Sequence, residues 1–208
     1  IFTERSPYKP NSPYSASKAA SDHLVSSWGA TYSLPFIITN CSNNYGPYQF
    51  PEKFIPKVII NAVNGKPIPI YGDGRQIRDW LFVNDHANAL LAVATEGQIG
   101  ETYLIGSKFE IENIELATII CEQLDNLIKC KPNNLSSFKE LITLTSDRPG
   151  HDKRYALNPH KISTELSWSP LEDFHSGISQ TINWYLENRE WWQSLVDSSN
   201  ATKRVGLL

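Results

Sequence analysis

Methionine is absent from the 208 residues, which open on Ile1. With no translation start of its own, the chain is expected to be the carboxyl-terminal piece of a longer protein. Cysteine is scarce. Cys41, Cys121 and Cys130 are an odd number without a Cys-x-x-Cys spacing, which suits reduced thiols better than a disulfide framework, and they read as small buried side chains. His23, His86, His151, His160 and His175 form no His-x-x-x-His pair and no cluster with cysteine, so no metal is expected. There is no run of about 18 apolar residues and no basic-then-apolar opening, so neither a membrane span nor a signal peptide is expected, and the protein reads as soluble and cytoplasmic. Excess positive charge is lacking as well. A formal net charge of -3 and a pI near 6.0 argue against a nucleic-acid backbone as partner.

What is present is ordinary globular composition, 40% hydrophobic and 20% charged, enough for one sizeable core or two small ones. Ser12 and Pro13 signal a helix start, and Ala20, Leu24 and Trp28 then lie four apart as one apolar stripe. Residues 35–41 (PFIITNC) are short, β-branched and bounded by turn residues, as in a buried strand. A loop over 42–52 leads into helical spacing at Phe54, Ile55, Val58, Ile59 and Ala62, closed by Gly65. Strands are expected at 68–71 and 77–83 around Gly72 and Gly74, then a helix capped by Asn84 or Asp85 with Ala87, Leu90, Leu91 and Ala94 inward. A strand over 102–105 precedes a helix from Asn113 through Leu116, Ile120, Leu124 and Leu127, and a last helix over 174–192 presents Ile178, Ile182 and Tyr185. Strands alternate with helices, so the class is α/β.

Tyr14 and Lys18 stand at i and i+4, neighbours on one helix face. A cation beside a phenol favours the phenolate, which can accept a proton from a sugar hydroxyl. Alone the spacing is weak, since a surface helix pair would look the same. It does not stand alone. The runs PYSASK (13–18), NCSNNYGP (40–47), PEKFIP (51–56), PIY (69–71), QIRDW (76–80) and DRPGHD (147–152) follow in one order. With them the chain resembles the extended short-chain dehydrogenases of the NAD-dependent epimerase and dehydratase family, and within these the nucleotide-sugar 4,6-dehydratases.

The resemblance implies a partial Rossmann-type doubly wound parallel sheet and a smaller α/β substrate lobe. It makes Tyr14 the catalytic base and Lys18 its partner on the ribose of NAD, with Asn44 at the nicotinamide. Asn43, Lys53 and Phe54 would meet the substrate. Pro69, Ile70 and Tyr71 would hold the base, Asn113 would sit at the same nucleotide end, and Arg78 and His151 would meet the diphosphate. Asp147, Arg148, Pro149 and Gly150 would shape a closing loop. The implied substrate is dTDP-glucose and the implied assembly a homodimer, with no nucleic-acid or membrane partner. The expected division is 1–48 with 79–105 for the cofactor domain, 49–78 with 106–192 for the substrate lobe, and 193–208 as a frayed tail.

Taken one by one these residues have plainer readings: Tyr71 as a strand aromatic, Asn113 as a helix cap, Arg78 and Asp79 as a surface ion pair. Ser107 and Ser167 stand where the family often has glycine and are expected only to touch turns. The glycine-rich dinucleotide fingerprint does not occur, since Gly72 and Gly74 are followed by Ile77 at the third position, and no Thr-Asp-Glu acid-base segment occurs either. Sister activities stay open: an epimerase, a dehydratase of a UDP, CDP or GDP sugar, or a non-catalytic nucleotide-sugar binding module.

Overall fold

A computed structural model of the chain describes residues 1–147 and 150–198. Arg148 and Pro149, two of the expected substrate residues, lie outside that range, as do residues 199–208. The chain divides into two compact units. The first is Ile1–Asn44, Ile77–Glu110 and Pro149–Glu172; the second is Tyr45–Gln76 with the described parts of 111–148 and 173–208.

Helix α1 (Pro13–Tyr32) starts where proline fits the first turn and Ser12 accepts a hydrogen bond from the Ser15 amide at 3.1 Å. Its inward line, however, runs through Ser15, Ala19, Asp22, Ser26 and Gly29, not through the expected stripe. Leu24 and Trp28 are 61% and 55% exposed. The reason lies in the small side chains. A Cβ on Gly29 would stand 2.1 Å from a Phe36 ring atom, and Asp22 accepts from the Tyr8 hydroxyl at 2.8 Å and the Asn40 amide at 2.9 Å. The helix is docked by close approach and by a buried-edge carboxylate rather than by large apolar groups.

Strand β1 (Ile38–Cys41) leads through Ser42 into β2 (Asn43–Tyr45), a short strand where a loop was expected. After α2 (Phe54–Val63) and β3 (Ile68–Tyr71), strand β4 (Ile77–Phe82) runs directly into α3 (Val83–Glu96). β5 (Thr102–Ile105) pairs parallel with β1, from Ile38 opposite Thr102 to Cys41 opposite Ile105. β4 lies between β2 and β6 (Glu110–Glu112), and β8 (Arg154–Tyr155) joins it in parallel, placing Tyr155 opposite Arg78. β7 (Ile142–Thr145) pairs parallel with β3.

The first unit closes on Leu81, Ala89, Val93, Tyr103, Ile105, Ile162 of the short helix α5 (His160–Glu165), Leu166 and Trp168. Here α3 corrects a second expectation. Asp85, Ala89 and Val93 are its buried residues, while Ala87, Leu90, Leu91 and Ala94 are exposed. Neither Asn84 nor Asp85 caps the helix, whose N-cap is Phe82 without a side-chain bond. Asp85 instead accepts from the amides of Leu171 and Glu172, at 3.1 and 3.0 Å.

In the second unit α2 packs on α4 (Asn113–Leu127) and on α6 (Phe174–Glu187), with Ile55, Ile59, Leu116, Ile120, Leu124, Ile178 and Ile182 interior. Gly65, at φ +63°, ends α2 as expected. Leu127 is 49% exposed and falls outside the core. The last expected helix is broken at Asn188, whose main-chain and side-chain amides both bond the Trp184 carbonyl at 2.9 Å. Then α7 (Arg189–Ser198) carries helix through residues assigned to the frayed tail, anchored by Trp192, which is 2% exposed and bonds the Tyr185 carbonyl at 2.8 Å.

Asp85→Ala is expected to lower unfolding stability by about 1–3 kcal/mol, because two amides lose a buried charged acceptor. Chemical denaturation of both forms measures it; a change within error would show that the 171–172 segment is held by other contacts.

Candidate active site

In the first unit, α1 presents Tyr14 and Lys18 one turn apart, both exposed. The Lys18 charge acts on the Cys41 thiol, and the Asn44 amide donates to Cys41 Sγ at 3.2 Å. Burial pushes that thiol up, with the Asn44 amide and Lys18 partly offsetting it. Lys18 and the amide after β1 therefore converge on one sulfur. Tyr155 joins them, donating to the Cys41 carbonyl at 3.3 Å. Its phenol is pushed up to about 12, first by burial and then by the charges of Cys41, Asp79, Asp152 and Tyr14. Tyr155 is thus a fixed donor. Tyr155 lies outside every run quoted from the sequence, and Cys41 reads there only as a small buried side chain, because neither falls on the Tyr-x-x-x-Lys spacing.

Asn43 lies on β2 beside β4, which carries Arg78. The Arg78 guanidinium donates to the Ile77 and Asp152 carbonyls, each at 2.8 Å, so it is brought next to His151. Gly150 turns the chain there at φ +67°, and a Cβ would meet the Asn11 carbonyl oxygen at 3.1 Å.

Arg78 and Asp79 are not a surface pair. Asp79 is fully buried at the start of the interior stretch of β4, whose residues from Asp79 to Phe82 are all enclosed. Its Oδ1 accepts from the Ser107 hydroxyl at 2.6 Å and the Ser107 amide at 3.2 Å. Its Oδ2 has no hydrogen-bond partner among the described residues and lies 2.5 Å from where a Cβ on Gly106 would stand. Burial pushes the Asp79 carboxyl up, opposed by both Ser107 donors and by the nearby Ser42 hydroxyl. Ser107 therefore does more than touch a turn: it supplies the donors for a buried acid. Ser167 does sit at a turn, at φ 50°.

The second unit holds the other expected residues. Lys53 is the N-cap of α2 and pairs with Glu52 at 3.3 Å on an exposed edge, with Phe54 opening the helix. On β3, Ile70 is fully buried while Pro69 and Tyr71 are half-buried, so Ile70 can offer a ligand only main-chain groups. Asn113 is the first residue of α4, not its cap; its amide donates to the Gln76 carbonyl at 3.1 Å. Asp147 accepts from the Gln76 side chain at 3.3 Å. Tyr71, Asn113 and Asp147 are thereby gathered around the 72–76 turn.

Cys121 is buried and its thiol is pushed up to about 12 by burial; Cys130 is exposed, contrary to the reading of all three cysteines as interior. No group of three or more His, Cys, Asp or Glu that could hold a metal occurs among the described residues, and none of their helices is long and apolar enough to cross a membrane.

Residues 1–181 match the family model described as GDP-mannose 4,6 dehydratase, and the chain belongs to that family. Within it the chain is similar to dTDP-glucose 4,6-dehydratase of Escherichia coli, 57% identical over 208 residues, covering 100% of this chain and 58% of the relative. The Neisseria meningitidis enzyme of the same name is 57% identical over 206 residues, covering 99% and 58%. Among solved structures, dTDP-glucose 4,6-dehydratase from Bacillus anthracis in complex with NAD superposes at a TM-score of 0.82 and 45% identity, covering 93% of this chain and 58% of that one. The Streptomyces venezuelae enzyme gives 0.85 and 43%, covering 93% and 57%. The chain thus has the Rossmann-like α/β fold of these dehydratases, and it spans about 58% of the length of the curated relatives it matches.

A raised folded-state pKa makes ionisation of Asp79 unfavourable to folding, so its stability contribution is best when protonated and declines as pH rises from the unfolded value of about 3.9 through the folded one. Asp79→Asn keeps an acceptor for Ser107 without the charge. Its melting temperature is expected to exceed wild type at neutral pH, the gap closing as pH falls toward about 4. A gap independent of pH would show that the carboxyl carries no such burden.

Proposed function

We propose that the protein containing this chain is an NAD-dependent 4,6-dehydratase converting dTDP-glucose to its 4-keto-6-deoxy sugar nucleotide, in the cytoplasm and for cell-surface polysaccharide synthesis. The observation that carries the reading is the meeting of Lys18 and Asn44 at Cys41, where β1 ends, with Tyr14 acting on the Tyr155 phenol that donates to the Cys41 carbonyl, in a fold shared with dTDP-glucose 4,6-dehydratases. Ligands of open α/β sheets bind outside the carboxyl ends of the strands, and β1 ends at Cys41.

These residues suit the redox end of NAD. Tyr14 and Lys18 are exposed on one helix face, and the Asn44 amide is fixed by a sulfur bond. Lys18 would hold the ribose and Asn44 the nicotinamide. When bound, NAD supplies the acceptor for hydride leaving C4 and returns that hydride to C6. Tyr14 takes the proton of the C4 hydroxyl, with the Lys18 ammonium favouring the phenolate that accepts it. Oxidation at C4 makes the C5 proton acidic, and only then is loss of water across C5 and C6 feasible. Arg78, fixed by two carbonyls, supplies a positioned cation for a diphosphate, with His151 next along the chain from one of them. Lys53 and the first amides of α2 suit the same kind of anion. Pro69, Ile70, Tyr71, Asn113 and Asp147 hold the nucleotide, Tyr71 by its ring.

The exposed face of α1, with Leu24, Val25, Trp28 and Tyr32 between 37% and 67% accessible, supports assembly as a homodimer. Light scattering of the full-length form is expected to give the mass of two chains; a monomer at micromolar concentration would remove this element.

In the full-length form Tyr14→Phe is expected to lower kcat by about 10²–10⁴ while leaving dTDP affinity unchanged, since the proton acceptor acts in the transition state. Arg78→Ala is expected to raise KM for dTDP-glucose. Steady-state kinetics with wild-type kcat in Tyr14→Phe would dismiss Tyr14 as the base. Equal inhibition by dTDP, UDP and GDP would dismiss thymine selection.

A further inference from the structure

The inward side of α1 is lined by small side chains, Ser15, Ala19 and Gly29, with the Phe36 ring closing on Gly29. Close approach of that kind sets how near the helix lies, but small side chains interlock little along its axis. Directional hydrogen bonds do that, and Asp22 accepts two. Its Oδ2 receives the Asn40 side-chain amide at 2.9 Å and the Tyr8 hydroxyl at 2.8 Å. Asn40 lies on β1 directly before Cys41, and Tyr8 lies in the segment that leads into α1. One carboxylate oxygen thus ties the helix to a strand 18 residues along and to a segment 14 residues back. The Tyr8 ring also meets the His23 ring edge-on, with centroids 5.1 Å apart. Burial first, and then the bond to Asp22, pushes the Tyr8 phenol up to about 12, so it stays a donor at neutral pH.

Asp22 stands one turn beyond Lys18 and two beyond Tyr14, on the same side of the helix. At a rise of about 1.5 Å per residue it lies about 6 Å along the axis from Lys18 and about 12 Å from Tyr14. Asn40, for its part, is one residue from the sulfur that receives the Asn44 amide and feels the Lys18 charge. The bond from Asn40 to Asp22 therefore joins the helix of the proton acceptor to the strand end that presents the nicotinamide contact. We propose that Asp22 is a positioning residue of the redox site: its carboxylate clasps Asn40 and Tyr8 and so sets the place of Tyr14 and Lys18 relative to Asn44, without touching cofactor or sugar. This rests on the reading that Tyr14, Lys18 and Asn44 form the redox site.

The test is steady-state kinetics on the full-length form, with calorimetric dTDP binding and thermal melting beside it. Asn40→Asp sets a carboxylate against Asp22, and kcat falls by about tenfold to a hundredfold, the scale of a reacting group misplaced by about 1 Å. Affinity for dTDP, which is read on the second unit, stays within about threefold of wild type. The swap Asn40→Asp with Asp22→Asn restores a donor and an acceptor in reversed order and leaves an oxygen for Tyr8, so kcat returns to within about threefold of wild type. A residue that only stabilises α1 would lower the melting temperature while the folded enzyme kept its kcat. Wild-type kcat in folded Asn40→Asp, or a folded double variant as slow as the single one, overturns the proposal. Should Asn40→Asp fail to fold, Tyr8→Phe removes one of the two bonds; a kcat lowered by about threefold or more supports the role, and an unchanged kcat overturns it. Tyr14→Phe separates the two levels. If it keeps wild-type kcat, the redox site is misassigned and this role falls with it; if it is slow while the Asn40 and Tyr8 variants are not, Asp22 alone is dismissed.

Discussion

A carboxylate buried inside a parallel α/β unit is the constraint around which the proposed redox site is arranged. Asp79 is fully enclosed, and an ionised acid there is tolerable only with donors aimed at it. Ser107 supplies two, one from its hydroxyl and one from its main chain. Gly106 must lack a side chain for the carboxylate to fit. The same acid therefore fixes the turn leaving β5 and, through the strand it occupies, the outward direction of Arg78. Ser42, whose hydroxyl lies near enough to favour the charged form, is followed at once by Asn43 and Asn44. The groups assigned to chemistry hang from the ends of strands whose interior polarity leaves them little freedom.

The main helices and β1, β3, β4 and β5 were legible in the sequence because they rest on local signals, whereas the short β2, β6, β7 and β8 were not. Ser12 with Pro13, the β-branched run before Cys41 and the glycine after α2 each act within a few residues. The facing of helices was not. In α1 and α3 the large apolar residues look outward, while the docked faces are built from Ser15, Ala19 and Gly29 or from Asp85, Ala89 and Val93. A hydrophobic count weighs bulk, whereas these contacts depend on close approach and on carboxylates that collect distant amides. Asp85 looked like a helix cap because capping is local, yet its partners are 86 and 87 residues away.

The candidate site divides in the same manner. Tyr14 and Lys18 were visible as a spacing, and the later runs gained weight from their order. Cys41 and Asp79 stood inside those runs without a role in the site, and Tyr155 stood outside them, since each acts through a bond to a residue far along the chain or through a main-chain carbonyl. Ser107 was noticed only as a departure from glycine, and its use became clear once Asp79 was seen to be buried beneath it. Residues that touch a ligand leave motifs; residues that hold them in place leave burial and unmatched polar atoms.

The functional reading assigns a redox group to the first unit and a nucleotide-holding group to the second, each explained by its own local packing. An epimerase of the same fold would use the same tyrosine and cofactor but lose no water. The most direct measurement therefore follows dTDP-glucose carrying deuterium at C4 through a turnover by the full-length form, read by mass spectrometry and NMR. The dehydratase account requires a product lighter by one water with the deuterium at C6. A product of unchanged mass, inverted at C4, would contradict it.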